Sequence, residues 1–544
     1  MQDNDNGVGT LDAIIIGAGI TGIHQLYRLR EAGFSARILD AGSGVGGTWH
    51  WNRYPGARFD SESYTYGYFF SRDLFAEWDW KEHFAAQPET EAYLNFAVDR
   101  LGLRPHVQLD TVVSELRFGE TTDTWTVLTA DGERQRARFV IAATGLLSAP
   151  YVPDLPGRDD FGGEAHHTGL WPREPVDLAG KRVAVVGAGA SAVQIVPVIA
   201  PEVASLTVYQ RTANWCTPLN NAPITAEEQA GIKARFDELY RACHSTVSGF
   251  LHPDGTRRTF DDTPEERTAF YEELWNSPGF RKMFGNYCDL GVDRAANDEY
   301  CAFIERKIRE TVHDPVVAER LVPSDHGFGE KRPPMEAGYY AAFNRDNVEL
   351  VDLRETPLVE VTRTGLRTTG TEREHDVIIW ATGFDAGTGA LARIRVQGEG
   401  GRLLSDAWVD GPETYLGMQS AGFPNLFMAG GPQSTYGNVP RSTESQVEFL
   451  AGLLEHARDV GAARIHPTRA AQEAWTRHVE EVAAKLLTAE TAWYQGSNIP
   501  GKAKRYIIYP GGVKAWADRA REVAAAGYAG FELSRITTPA AGVV

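Results

Sequence analysis

Twice along this chain a short β-branched run leads straight into a glycine-rich turn and then into apolar residues at helical spacing. The first copy is Ala13 to Ile16, then Gly17-Ala18-Gly19-Ile20-Thr21-Gly22, then Ile23 to Arg30. In such a unit Gly17 allows the tight turn, Gly19 lets a pyrophosphate approach the backbone, and Gly22 lets the helix pack on the strand. The anion then rests on the unpaired N–H groups at the helix N-terminus. Glycine is abundant, 55 of 544 residues, so GxGxxG alone says little; its place between a strand and a helix carries the reading. The next strand, Ala36 to Leu39, ends at Asp40, close to the spacing of about 20 at which an acid accepts from a ribose hydroxyl.

The second copy is Arg182 to Val186 followed by Gly187-Ala188-Gly189-Ala190-Ser191-Ala192, the GxGxxA variant. Its next strand, Leu206 to Gln210, is followed by Arg211 and Thr212 rather than an acid. A guanidinium binds a 2′-phosphate that a carboxylate would repel, so this site predicts NADPH; a solvated arginine at a strand end is the other reading of Arg211. The acidic first site suits FAD. Together the two sites predict hydride transfer from nicotinamide to flavin.

The predicted fold class is α/β, with two Rossmann-like dinucleotide-binding domains and a helical insertion. Phe139 to Gly145 and Val377 to Gly383 are apolar strands that both end in Ala-Thr-Gly, and they read as the exits from the two nucleotide domains, where glycine lets the backbone pass close to a cofactor. Phe423 to Gly430 is a third such strand, where the first domain resumes. The expected organisation is an FAD-binding domain over 1–148 and 384–544, an NADPH-binding domain over 149–221 and 329–383, and a helical insertion over 222–328. Further helix is expected from Ser445 to Leu487 and from Lys514 to Ala526, with a loose tail from Thr537.

The net charge of −19 disfavours nucleic acid and anionic membrane as partners. No apolar run is long enough to span a bilayer, and Met1 to Thr10 lacks the pattern of a secretory signal, so a cytoplasmic protein is expected. No protein partner is evident. Cys216, Cys243, Cys288 and Cys301 are far apart and read as buried free thiols, with no metal site. HExxH, GxSxG and GxxxxGK[ST] are all missing, which removes the usual signals of zinc proteases, elbow-type serine hydrolases and P-loop NTPases.

With no cysteine before Cys216, a redox dithiol soon after the first glycine motif is excluded, and molecular oxygen becomes the candidate acceptor. Phe161-Gly162-Gly163-Glu164-Ala165-His166-His167-Thr168-Gly169-Leu170-Trp171-Pro172 fits FxGxxxHxxxWP, and Gly47-x-Trp49 is followed by Tyr54-Pro55-Gly56 and Asp60. In these residues the chain resembles the Baeyer-Villiger monooxygenases, from Ala13 to about Phe531, and is most similar to the cyclohexanone and phenylacetone type. The resemblance implies FAD, NADPH, oxygen and a ketone substrate converted to an ester or lactone through a C4a-peroxyflavin. It implies that Arg332 keeps the peroxide anionic, that Asp60 positions Arg332, and that Lys331 joins Arg211 and Thr212 on the 2′-phosphate. Gly47, Thr48, Trp49, Tyr54 and Asp60 would lie at the flavin, Trp49 and Tyr54 as its wall, with Ser191 in the second motif. Trp493 would close over the nicotinamide.

His167 is read as a hinge or interface residue rather than an acid-base group, and Trp171 as packing where the two domains meet. By position, Leu146, Phe250, Thr435 and Tyr436 would line the substrate pocket. The stretch Pro432 to Arg441 departs from the cyclohexanone type at Tyr436 and Arg441, and Arg441 is either a surface residue or a ligand for a substrate carboxylate. Two other functions stay open: a nitrogen- or sulfur-oxygenating flavin enzyme, whose relatives usually lack Trp171-Pro172, and a silent flavin protein, against which the pairing of Asp60 with Arg332 argues.

Overall fold

The computed structural model describes residues 9–488 and 492–535. Most of the N-terminal segment read for a signal, and the tail expected from Thr537, lie outside them.

In the strand Leu11–Ile16 the apolar run from Ala13 to Ile16 is buried on both faces, as it must be when it lies inside a parallel sheet. It pairs in parallel with Ala36–Leu39 on one side and with Arg134–Ala142 on the other. The latter strand forks. Its polar first half runs antiparallel to Thr124–Thr129, while its apolar second half accepts Leu426–Met428 in parallel. A late segment of the chain thus completes the first sheet, and Arg395–Gln397 joins the same sheet farther out on Val113–Gly119.

The second sheet is parallel throughout, in the order Val348–Asp352, Ser205–Gln210, Arg182–Val186, Val377–Trp380, Glu164–His167. The fingerprint segment therefore supplies an edge strand, with His167 opposite Trp380.

Both glycine turns press on the same feature of a neighbouring strand. A Cβ on Gly17 would stand 2.5 Å from the carbonyl oxygen of Ala143, and one on Gly187 would stand 2.3 Å from that of Ala381. Their φ angles, +112° and +125°, also belong to glycine. This explains why Ala-Thr-Gly occurs twice: its alanine carbonyl is what the turn packs against. Gly22 is equally constrained, since its Cβ would fall 1.9 Å from the Gly17 oxygen. Gly189 differs, because a Cβ there meets nothing within 4 Å.

Helices fill the insertion, among them Ala226–Ala234, Phe236–Ser245, Pro264–Asn276, Arg294–Thr311 and Pro315–Leu321. Thr225, Thr263, Asp293 and Asp314 cap four of them through their side chains. Tyr271, Leu274, Tyr300 and Ile304 share one core with Ile195 and Ile199 of the second glycine helix. Phe236, Leu239 and Cys243 instead pack with Phe69, which follows the first unit's loop. The insertion thus leans on both halves of the molecule.

Two expectations are corrected. Ser445 to Leu487 is not one helical stretch: Val439–Asp459 ends at Gly461, the strand Arg464–Pro467 pairs with Phe531–Ser534, and only then does Arg469–Ala483 begin. Gly461 sits at φ +67°, its N–H reaching the Arg458 carbonyl and the Ala462 N–H that of Ala457, a left-handed cap that stops the helix. Cys288 is exposed, unlike the other three cysteines, because it lies on an irregular segment after the short helix Arg281–Phe284. No helix among the described residues is long and apolar enough to cross a membrane, and no group of three or more metal-ligating side chains occurs among them.

Gly187→Ala should destabilise the protein by at least about 2 kcal/mol, from backbone strain and the clash with Ala381. Gly189→Ala, facing open space, should lose about 1 kcal/mol or less. Equal shifts of thermal unfolding midpoint in the two variants would contradict this account of the turn.

Candidate active site

Each glycine helix opens without a side-chain cap, at Gly19 for Ile20–Glu31 and at Gly189 for Ala190–Ile199. The first turns of N–H groups are therefore left for another acceptor. Across the first turn lies Gly47, at φ +54°, whose Cβ would come 2.7 Å from the Gly19 Cα; the Gly46 N–H donates to the Ala18 carbonyl at 2.9 Å. Thr48 starts the short helix that follows.

Asp40 is spent in part on the turn itself, its carboxylate accepting from the N–H groups of Ala18 at 2.5 Å and Gly42 at 2.6 Å. Burial raises its pKa, and those two donors oppose the rise.

Trp49 is buried, donates its indole N–H to the Tyr66 hydroxyl at 3.1 Å, and meets Phe59 edge-on at 5.6 Å. Tyr54 was expected beside it at the first nucleotide site. In the structure the Tyr54 hydroxyl donates to Gln194 at 2.7 Å, near Ser191, and its ring packs in the core of the second unit. Gly56, at φ +85° and too close to the Gln194 carbonyl to carry a side chain, makes the crossing possible.

The same loop delivers Asp60, whose buried carboxylate accepts a hydrogen bond from Arg332 and forms an ion pair with it. Arg332 arrives from the other side, where the insertion ends and Met335–Glu336 pairs with Thr217–Pro218. Burial works against the guanidinium, but Asp60, then Tyr436 and Tyr494, hold its pKa above the ordinary value. Burial raises the Asp60 carboxyl, and the charge of Arg332 only partly offsets this. Phe280 from the insertion lies under the guanidinium at 5.3 Å. Trp493, half-buried, stands edge-on to Tyr436 at 5.2 Å. Four segments distant in sequence thus converge on one fixed cation.

Of the other expected pocket residues, Phe250 packs against Phe280 at 5.0 Å between ring centres, and Leu146 is half-buried with its carbonyl accepting from Gly387. Thr435 is buried, and its hydroxyl is used internally, donating to the Ser442 carbonyl and accepting from Gln446. Arg441 is corrected. It is 1% exposed, so it is neither a surface residue nor open to a substrate carboxylate.

His167 accepts the Gly169 N–H at Nδ1, at 2.9 Å, and its Nε2 lies 3.1 Å from the Gly383 carbonyl, which assigns the proton to Nε2. Burial pushes its pKa down, so the ring is a neutral brace between the fingerprint and the second Ala-Thr-Gly. Trp171 is buried and donates its backbone N–H to the Trp51 carbonyl at 3.3 Å, across the junction of the two units.

Arg211 is exposed and makes no ion pair among the described residues, Thr212 is half-buried, and Lys331 pairs with Asp325 at 3.2 Å. Sequence reading missed Phe280 and Gln194, which carry no local motif. It also missed Tyr494, although that residue adjoins Trp493.

Residues 14–248 match the family model described as pyridine nucleotide-disulphide oxidoreductase. The chain is 42% identical over 536 residues to the 2-oxo-Delta(3)-4,5,5-trimethylcyclopentenylacetyl-CoA monooxygenase of Pseudomonas putida, covering 96% of this chain and 98% of that one. It is also 42% identical over 530 residues to an acetone monooxygenase (methyl acetate-forming) of Gordonia sp., covering 96% and 99%. The phenazine N-monooxygenase PhzNO1 of Lysobacter antibioticus is 40% identical over 537 residues, covering 98% of each. Among solved structures, an OTEMO complex with FAD and NADP superposes with a TM-score of 0.93 at 42% identity, covering 96% and 99%.

A Baeyer-Villiger monooxygenase of Pseudooceanicola batsensis is 39% identical over 531 residues, covering 97% of each. The chain belongs to the Baeyer-Villiger monooxygenases.

For this Baeyer-Villiger monooxygenase the disulphide in the matched family's description has no counterpart in the matched stretch, whose two cysteines, Cys216 and Cys243, are buried and unpaired. The dithiol is absent while the nucleotide fold is kept.

Removing Asp60 strands a largely buried guanidinium, so Asp60→Ala should destabilise the protein by about 3–5 kcal/mol. Adding Arg332→Met should recover part of that loss. A double-mutant cycle in denaturant showing additive effects would mean the pair is not coupled.

Proposed function

We propose that this monooxygenase is FAD-dependent, consumes NADPH, and inserts one atom of O2 next to a ketone carbonyl to give an ester or lactone. The balance is ketone, O2, NADPH and a proton in; ester, NADP+ and water out. The observation that carries the reading is the pairing of Arg332 with the buried Asp60, with Phe280 under the guanidinium.

The residues present fit both dinucleotides. Two uncapped helix N-termini open at glycines, Gly189 faces empty space, and Gly47 leaves the first turn uncovered by any side chain of its own. When bound, FAD supplies the relay that takes hydride from NADPH and passes electrons to oxygen.

The chain's own residues do the rest. Gly17, Gly19 and Gly22 shape one pyrophosphate cradle, with Asp40 at its ribose end; Gly187, Gly189 and Ser191 shape the other. Arg211, Thr212 and Lys331 take the 2′-phosphate. Arg332 stabilises negative charge that develops on oxygen and cannot do so by giving up its own proton. Asp60 fixes where that charge points. Phe280, Tyr436, Tyr494 and Trp493 exclude water, which strengthens each electrostatic contact inside. Trp171 ties the two units together through the Trp51 carbonyl, and His167 braces the fingerprint against the exit strand of the second unit. The expected compartment is the cytoplasm, where NADPH is supplied.

Nitrogen oxygenation is the second reading, favoured by the likeness to the phenazine enzyme. The Trp171-Pro172 ending and the buried cation support oxygen insertion beside a carbonyl instead.

Incubating the yellow protein with NADPH, labelled oxygen and cyclic, linear and aryl ketones should give esters carrying one labelled atom. NADPH consumption that yields only hydrogen peroxide for every ketone overturns the reading. Arg332→Ala should still reduce flavin yet form no ester. Arg211→Ala should raise the KM for NADPH by about tenfold while leaving that for NADH within about twofold, the size of one lost charge-assisted contact. Equal effects on both would remove the 2′-phosphate contact.

A further inference from the structure

Tyr436 and Phe250 both reach the Arg332 neighbourhood, Tyr436 near enough for its hydroxyl to feel the charge of the guanidinium and Phe250 through Phe280. Their segments are stitched together behind the site. The Asn438 N–H donates to the Ser248 carbonyl at 2.9 Å, and Gly437 lies so close that a Cβ would meet that oxygen at 2.2 Å. The Asn438 side chain donates to the Thr65 carbonyl and hydroxyl at 3.2 and 3.0 Å.

Beneath this junction sits Arg441. Its Nη2 donates to the Gly67 carbonyl at 2.7 Å, its Nη1 pairs with Glu444 at 3.1 Å, and its guanidinium lies 3.9 Å over the Phe69 ring. Its stem touches the insertion: a Cβ on Gly249 would stand 2.9 Å from the Arg441 Cβ. Glu444 is also 3.4 Å from His244 of the insertion helix. Burial acts to raise the Glu444 carboxyl, but Arg441 and His244 hold it below the ordinary range. One charged head thus ties three parts of the chain: the loop after Asp60, the helix that follows Tyr436, and the insertion that carries Phe250.

We propose that Arg441 is a positioning residue for substrate selection, locking the Tyr436 and Phe250 segments in the register that decides which ketone fits beside Arg332 and which carbon migrates to oxygen. The proposal rests on the oxygen-insertion reading above. Its physical basis is that a buried ion pair contributes little net stability yet is costly to leave half-made, so it holds one arrangement against others. A shift of about 1 Å in a wall residue is enough to change turnover by about a hundredfold.

The test uses the full FAD-loaded chain with butanone and phenylacetone, two unsymmetrical ketones that each give two esters. Arg441→Met should raise KM by about tenfold and change the ester ratio, while flavin reduction by NADPH stays within about twofold. Arg441→Lys should restore part of the ratio. Backbone hydrogen exchange should quicken at 435–438 and 247–251 in the Met variant and stay unchanged at 17–22. A folded Met variant with the wild-type ester ratio and exchange overturns the proposal. Should that variant fail to hold FAD, Asn438→Ala leaves the ion pair intact but cuts the loop from Thr65. Its ratio and exchange are read in the same way, and wild-type values there overturn the proposal too. A wild-type protein that reduces flavin but makes no ester overturns the oxygen-insertion reading alone, and the exchange pattern then decides the role of Arg441.

Discussion

A buried carboxylate, Asp60, facing the partly buried guanidinium of Arg332 is the constraint around which this molecule is arranged. Asp60 comes from the loop that leaves the first glycine unit, Arg332 from the chain returning out of the insertion. Neither charge is tolerable in that environment without the other, so the two halves are held in one relation. The crossing of Tyr54 to Gln194 and the seating of Trp171 against Trp51 reinforce the same seam. A fixed cation beside aromatic side chains is also what the proposed oxygen insertion beside a carbonyl requires, so on that proposal the pair serves architecture and chemistry through one interaction.

The two units repeat a single solution to a packing problem. A strand must turn sharply into a helix while its neighbour's carbonyl stands in the way, and Gly17 against Ala143 and Gly187 against Ala381 solve it alike. Pairing of Arg134–Ala142 with Leu426–Met428 then brings late chain into the first sheet. The glycines noted in the sequence thus include both turns crowded by backbone, as at Gly17 and Gly187, and positions open to a side chain, as at Gly189.

Much of this was legible beforehand because it depends on local rules. Strand, glycine and helix follow in order, and the boundaries of Ala36–Leu39 and Arg182–Val186 match the apolar runs that announced them. Readings that depended on a side chain's direction fared worse. Tyr54 turned to the second unit, Thr435 spent its hydroxyl inside, and Arg441 was buried where its charge suggested a surface. Tyr54 and Arg441 depend on partners 140 and 374 positions away, and Thr435 on the turn into the helix that follows it, none of which periodicity can reveal. The helical stretch after Ser445 was broken by Gly461 because a left-handed cap and a distant strand partner, Phe531–Ser534, outweighed helical spacing.

By itself, then, the order of residues determined two strand-glycine-helix units and, through the fingerprint from Phe161 to Pro172, the family, since motif spacing is a local property; Arg332 was singled out only through that resemblance, because a Lys-Arg pair read alone is a solvated one. Tertiary structure decided which groups converge on that cation. Phe280, Tyr436 and Tyr494 meet Arg332 only because the insertion, the late helix and the C-terminal loop pack onto one seam. Burial, which turns an ordinary ion pair into a directing one, exists only after that packing.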